Sequence, residues 1–120
     1  MKKILLVEDN TMNCELIKDI LQLGNYQITT TENGVEALNL LKSESFDLVL
    51  TDINLPKMDG IEFIHKFGEF ENAAKIVAMT SDLTAKNGKT FEEIGFDGYI
   101  QKPFKVSDFR QYIKNMLEES

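Results

Sequence analysis

Val49-Leu50-Thr51-Asp52-Ile53-Asn54-Leu55-Pro56 lies near the middle of the chain, and the other elements are organised around it. Leu48, Val49 and Leu50 form a short apolar run that delivers an acid, Asp52. Asn54 and Pro56 follow at once, so a strand has to stop there. A run without polar alternation suits a strand covered on both faces, as in a parallel sheet. Taken alone, Asp52 is better explained as a turn former. Its meaning depends on what the other strand ends bring to it.

Working outward, Ile4 to Val7 is a second continuous apolar run, with Glu8 and Asp9 at its end. Asn10 and Thr11 supply helix-capping chemistry. Met12, Leu16, Ile20 and Leu23, with Ile17 and Leu21 beside them, recur at helical spacing until Gly24-Asn25 closes the segment. Tyr26 to Thr31 predicts a more exposed strand, Asn33-Gly34 a turn, and Val35, Ala37, Leu38 and Leu41 a second helix. The third strand is expected over Phe46 to Asp52. Lys57 to Gly60 reads as a loop, and Ile61, Phe63, Ile64, Phe67 and Phe70 as a third helix that Gly68 weakens. Ala74 to Met79 predicts a fourth strand ending in Thr80. Residues 83–94 have helical rhythm, but Asn87-Gly88 is a turn signal in their middle, so the helix should be short, late or frayed. After the turn Gly95 to Gly98 comes a short strand, Tyr99 to Gln101, stopped by Lys102-Pro103. Phe109, Tyr112, Ile113, Met116 and Leu117 then mark a core-facing helix with Ser107 or Asp108 near its start.

Five strands alternating with helices predict an α/β fold with a doubly wound parallel sheet, in one domain over residues 1–120. The composition, 42% hydrophobic and 28% charged, is that of a globular protein. A net charge of −7 argues against nucleic acid or an anionic membrane as direct partner. The apolar run near the N-terminus is too short for a signal peptide or a membrane span, and the expected setting is cytoplasmic. Cys14 is the only cysteine, which rules out an internal disulfide and fits a reducing compartment. His65, the only histidine, falls on the third helix, away from the strand ends, so a histidine-ligated zinc site is not expected.

In a doubly wound sheet, ligands bind outside the carboxyl ends of the strands. Glu8 and Asp9, Asp52, Thr80 and Lys102 stand at four such ends. Each alone has an ordinary explanation as a turn, cap or surface residue. Together they place three carboxylates, a hydroxyl and a lysine on one rim. Two unit charges 4 Å apart repel by about 4 kcal/mol at an effective dielectric near 20, so a proton or a cation must offset them. Hard oxygen donors at a shallow rim suit Mg²⁺, which retains waters and bridges carboxylate and phosphate. Lys102 can pair with Asp52, or neutralise a phosphoryl oxygen, to which Thr80 can donate a hydrogen bond.

The set Val7-Glu8-Asp9-Asn10, Thr51 to Pro56 with Met58-Asp59-Gly60, Met79-Thr80-Ser81 and Gly98 to Phe104 resembles the receiver domain of two-component response regulators, over the whole chain. The resemblance implies a flavodoxin-like (βα)5 fold with strand order 2-1-3-4-5. It implies that Asp52 is a phosphoacceptor, charged by a histidine kinase or a histidine-containing phosphotransfer protein. It further implies Mg²⁺ (or Mn²⁺) held by Asp9, Asp52 and the backbone carbonyl of Asn54, with Glu8 acting through a bound water. Thr80 and Lys102 would contact the phosphoryl oxygens, Tyr99 would be an aromatic switch, and Lys102-Pro103 would be a cis peptide. Asn54 and Asp82 would flank the water that hydrolyses the acyl phosphate, and their pairing implies a short-lived phosphoform. The protein would then be a signalling phosphoacceptor with self-catalysed transfer and autodephosphorylation, not an enzyme acting on other substrates.

Two positions depart from the family pattern. Ser81 replaces the commoner alanine, and Asn87-Gly88 interrupts the fourth helix, so residues 83–90 are expected to be mobile until phosphorylation or partner binding orders them. Three other readings compete. One is a receiver acting as a phosphorylation-independent scaffold. Another is a haloacid-dehalogenase-like phosphatase, which would want an acid where Asn54 stands. The last is a flavin module, whose phosphate the acidic first loop would repel. With no output domain after Ser120 the chain is either a stand-alone regulator or a receiver cut from something larger, and the start on Met1 and strand 1 favours the first. Glu8-Asp9-Asn10 followed by Asn13 is similar to receivers of multi-step relays, which favours an intermediate carrier.

Overall fold

The computed structural model describes residues 1–53, 58, 60–69, 74–81 and 90–118. Five strands, β1 (Lys2–Val7), β2 (Tyr26–Thr31), β3 (Leu48–Asp52), β4 (Lys75–Thr80) and β5 (Gly98–Gln101), form one parallel sheet in the order β2-β1-β3-β4-β5. Between and after them run α1 (Thr11–Gln22), α2 (Gly34–Ser43), α3 (Gly60–Phe67), α4 (Phe91–Ile94) and α5 (Val106–Glu118). This is the doubly wound parallel sheet that the alternation of elements predicts, in the flavodoxin-like order that the resemblance implies.

The central strands explain why their sequences are apolar throughout. Leu5 and Val7 of β1, Val49 of β3, and Ile76 and Ala78 of β4 join a core with Ala37, Leu38, Phe63, Ile64, Phe67 and Phe91 from α2, α3 and α4. Their alternates Ile4, Leu6, Leu48, Leu50, Val77 and Met79 join a second core with Ile17, Ile20 and Leu21 of α1 and Phe109, Ile113 and Leu117 of α5. Successive side chains point to opposite faces, and both faces are covered, so no polar alternation is tolerated. The outer strand β2 is only partly buried, as its threonines suggest.

Several boundaries and faces differ from the sequence reading. Phe46 and Asp47 precede β3 rather than belonging to it. Phe46 is a core residue with the Lys3 ammonium 5.0 Å from its ring centroid. Asp47 is a fastener: its N–H donates to the Lys3 carbonyl at 2.8 Å, its Oδ2 accepts from the Lys3 N–H at 2.8 Å, and its carbonyl accepts from Lys75. Asp97 repeats the device before β5, exchanging two 2.8 Å bonds with Ile76. Both fix strand register at the amino-terminal end of the sheet. Asn33 is not only a turn residue; its Oδ1 accepts from the Glu36 N–H and caps α2.

Met12, Leu16 and Leu23 were expected on the buried face of α1 but are exposed, Met12 at 82%. At 100° per residue these three lie within about 40° of one another, on the flank of the stripe that Ile17, Ile20 and Leu21 present to the sheet. Asn87-Gly88 lies outside the described residues; of the fourth helix, the described part is the single turn α4. Thr90 and Glu93 form a reciprocal capping box at its start. Gly95, at φ 131°, ends it in a conformation that a side chain would strain. The expected mobility of residues 83–90 falls, apart from Thr90, outside the described residues.

Candidate phosphoacceptor site

Lys102, just past β5, meets the ends of the three central strands. The Lys102 Nζ lies 2.6 Å from Asp52 Oδ2 and 3.5 Å from Glu8 Oε2. The backbone brings them there: β1 and β3 are paired neighbours, so Glu8 and Asp52 leave adjacent strands, and β5 follows β4 one position further out. The Lys102 N–H donates to the Thr80 carbonyl at 2.8 Å, which ties the lysine's backbone to that of Thr80. The Lys102-Pro103 peptide is cis.

Glu8 is only 3% exposed. Its Oε1 accepts from the Asn10 N–H at 3.1 Å, and Asn10 in turn caps α1 through the Asn13 N–H. Burial pushes the Glu8 carboxyl up, the nearby Asp52 charge adds to this, and the Asn10 N–H and Lys102 only partly counter it. For Lys102, burial alone acts downward. The hydrogen bond and charge of Asp52, joined by Glu8, outweigh it and hold the ammonium above its ordinary value. Asp52 is nearly buried and Asp9 is exposed, so the rim opens to solvent on the Asp9 side.

One ammonium bridges two carboxylates from different strands. That donor set fits a hard divalent ion: acids on adjacent strand ends, with an exposed acid beside them at the mouth. Among the described residues, no three histidine, cysteine, aspartate or glutamate side chains form a complete metal cage. Mg²⁺ does not require one, since it keeps several waters and is shared with phosphate. Asn54 and Asp82, implied in metal binding and hydrolysis, lie outside the described residues.

Thr80 is buried at the end of β4. The register pairs Ala78 with Tyr99 and Thr80 with Gln101, so Thr80 and Tyr99 emerge on the same face of the sheet. The Tyr99 ring is turned outward, 42% exposed, and lies against Phe91 with centroids 5.6 Å apart. The Tyr99 N–H is directed at the Tyr112 hydroxyl of α5. Gly98 makes this approach possible, because a Cβ there would clash with the Tyr112 oxygen. Sequence reading missed Phe91 and Tyr112 as neighbours of Tyr99; the one local signal was a glycine beside an exposed-strand aromatic. On the other side of Lys102, Leu16 and Ile17 of α1 border a hollow of about 300 Å³ with Lys102, Pro103 and Phe104.

A sheet of this order, with acids, a hydroxyl and a lysine gathered at its carboxyl end, defines a class that comparison with known proteins identifies. The chain belongs to the response regulator receiver domain family, whose model matches residues 4–114. It is 31% identical over 121 residues to the polar-differentiation response regulator DivK of Brucella anthropi, spanning 99% of this chain and 98% of that one. A CheY-like response regulator receiver domain from Methanospirillum hungatei superposes with a TM-score of 0.91 at 32% identity, covering 99% and 95% of the two chains. The receiver domain of sensor histidine kinase PA1611 from Pseudomonas aeruginosa, solved with a magnesium ion coordinated in its active site cleft, gives 0.88 at 27% identity over 98% of both. The protein is therefore a receiver domain of two-component signalling, a phosphoacceptor class rather than a conventional enzyme. Among the described residues, no helix is long and apolar enough to cross a membrane.

Proposed function

We propose that Asp52 accepts a phosphoryl group from a phosphohistidine of a histidine kinase or histidine-containing phosphotransfer protein, in a Mg²⁺-dependent reaction. The observation that carries this reading is the Lys102 ammonium bridging Asp52 and Glu8 at the carboxyl end of the sheet. It marks a site built to hold positive charge against carboxylates, on a chain of the phosphoacceptor family.

The Asp52 carboxylate oxygen attacks phosphorus in line with the departing imidazole nitrogen. A P–O bond forms, the P–N bond breaks, and the imidazole leaves with its electron pair and takes up a proton. Glu8, Asp9, Asp52 and the Asn54 carbonyl would hold Mg²⁺, directly or through water; when bound, the ion neutralises charge on the phosphoryl oxygens. Lys102 follows the incoming group by exchanging a carboxylate partner for a phosphoryl oxygen, and Thr80 donates its hydroxyl to another. Tyr99 then turns inward over the displaced Thr80. Water later attacks phosphorus and releases inorganic phosphate, with Asn54 and Asp82 setting its access. A protein donor must cover this rim to reach Asp52, and exposed Met12 and Leu16 stand beside it. The setting is the cytoplasm, and the output passes by protein contact.

Incubation with Mg²⁺ and a small acyl phosphate, followed by intact mass, tests this. One added phosphate is expected, lost in Asp52→Asn and on chelation of the metal. No uptake by the folded wild type would reject the phosphoacceptor in favour of a scaffold. Steady hydrolysis of diverse phosphate esters would favour a phosphatase.

A further inference from the structure

The outward position of Tyr99 has a physical cause in this chain. Phe91 is almost fully buried and makes two ring contacts: edge-on with Phe96 at 6.1 Å, and tilted against Tyr99 at 5.6 Å. The first anchors Phe91 in the core; the second reaches a half-exposed ring on the sheet's last strand. Phe91 is also held along the backbone. Its carbonyl accepts from the N–H groups of Gly95 and Phe96, and the Thr90–Glu93 capping box fixes the turn that carries it. Tyr99 is fixed at its backbone by pairing with β4 on one side and by Tyr112 on the other. The side-chain torsions of Tyr99 are therefore the free coordinate, and Phe91 is the surface against which that ring rests.

We infer that Phe91 is a positioning residue that latches Tyr99 outward in the unphosphorylated protein, so that the single-turn α4 and the Tyr99 ring change state together. An inward Tyr99 has to leave the Phe91 ring, which uncovers an apolar ring on the face that α4 and β5 share. This inference rests on the proposed switching of Tyr99.

The test is NMR of the Tyr99 ring, with and without Asp52 phosphorylation confirmed by intact mass. In wild type, phosphorylation should move the Tyr99 ring resonances. In Phe91→Leu the resting resonances should already lie part of the way toward that position, with the inward-to-outward ratio raised roughly two- to tenfold, the range expected for loss of one aromatic pair. Phe91→Tyr keeps a ring at this position and should retain the wild-type resting spectrum. If Phe91→Leu does not fold, Phe91→Met takes its place with the same expectation. Resting resonances unchanged in a folded Leu or Met variant would overturn the latch while leaving the switch intact. A Tyr99 ring that does not respond to phosphorylation in wild type would overturn the switch, and the latch with it.

Discussion

Asp47 and Asp97, at the amino-terminal end of the sheet, each aim a carboxylate oxygen at a backbone N–H of the neighbouring strand, both at 2.8 Å. Each also donates its own N–H back to the same residue, so the acid is locked in a two-bond clasp. At the carboxyl end the same kind of side chain is arranged differently. Glu8 and Asp52 converge on one lysine, and two negative charges share one positive charge. The two ends of the sheet therefore hold their acids differently, one set against strand backbone and the other against a shared lysine. A carboxylate tied to the neighbouring strand's backbone closes the sheet. Glu8 and Asp52 instead share one ammonium, and the Asp52 charge adds to the upward push on the Glu8 carboxyl.

Lys102→Ala should break that balance most severely. Removing the cation takes away a preplaced neutraliser of phosphoryl charge, and the rate of phosphate uptake should fall about 10²–10³-fold, measured by quenched time courses and intact mass. The same change removes the ammonium that Mg²⁺ must displace, so apparent Mg²⁺ affinity, read from metal-dependent thermal shifts, should rise. An unchanged uptake rate would mean that Lys102 is only structural.

The opposite end should respond in the opposite way. Asp97→Ala and Asp47→Ala each leave a strand N–H without its acceptor, which should cost about 1–3 kcal/mol in denaturant melts. Phosphate uptake by the folded fraction should be unchanged. Loss of uptake without loss of stability would erase the distinction between the two ends.

Glu8→Gln sharpens it further with a smaller effect. Burial raises the Glu8 carboxyl, so its proton binds more tightly in the folded than in the unfolded chain. The charged form is therefore destabilising at neutral pH, and that cost grows as pH rises through the raised value. The glutamine variant should melt above wild type at pH 7. The gain should shrink as pH falls toward the ordinary carboxylate range. Lys102 has the complementary sign: raised in the folded state, it contributes stability at neutral pH that is lost as alkaline pH passes through its folded value. A glutamine variant less stable than wild type at pH 7 would show that the Lys102–Glu8 contact outweighs burial.

The central strands and the rim were legible because their physics is local. Burial on both faces makes Ile4 to Val7 and Leu48 to Leu50 continuous apolar runs, and each run announces the acid that ends it. The clasps were not legible, because Asp47 meets Lys3 across 44 residues and Asp97 meets Ile76 across 21. Bonds of that span leave no pattern in the intervening sequence, and so Asp47 reads as strand and Asp97 as turn. The face of α1 was misjudged because Met12, Leu16 and Leu23 satisfy helical spacing as well as Ile17, Ile20 and Leu21 do; only the sheet decides which stripe it covers. Phe91 reads as one more apolar residue in a helical rhythm until β5 places Tyr99 beside it.

We propose that Asp52 is the reactive carboxylate and that the acids at the far end of the sheet are not. The most direct measurement is intact mass of Asp52→Asn and Asp97→Ala after exposure to Mg²⁺ and a small acyl phosphate, at a temperature where both are folded. The expected result is an unmodified Asp52→Asn and an Asp97→Ala that carries one phosphate. A phosphorylated Asp52→Asn, or a folded Asp97→Ala that takes up none, would contradict it.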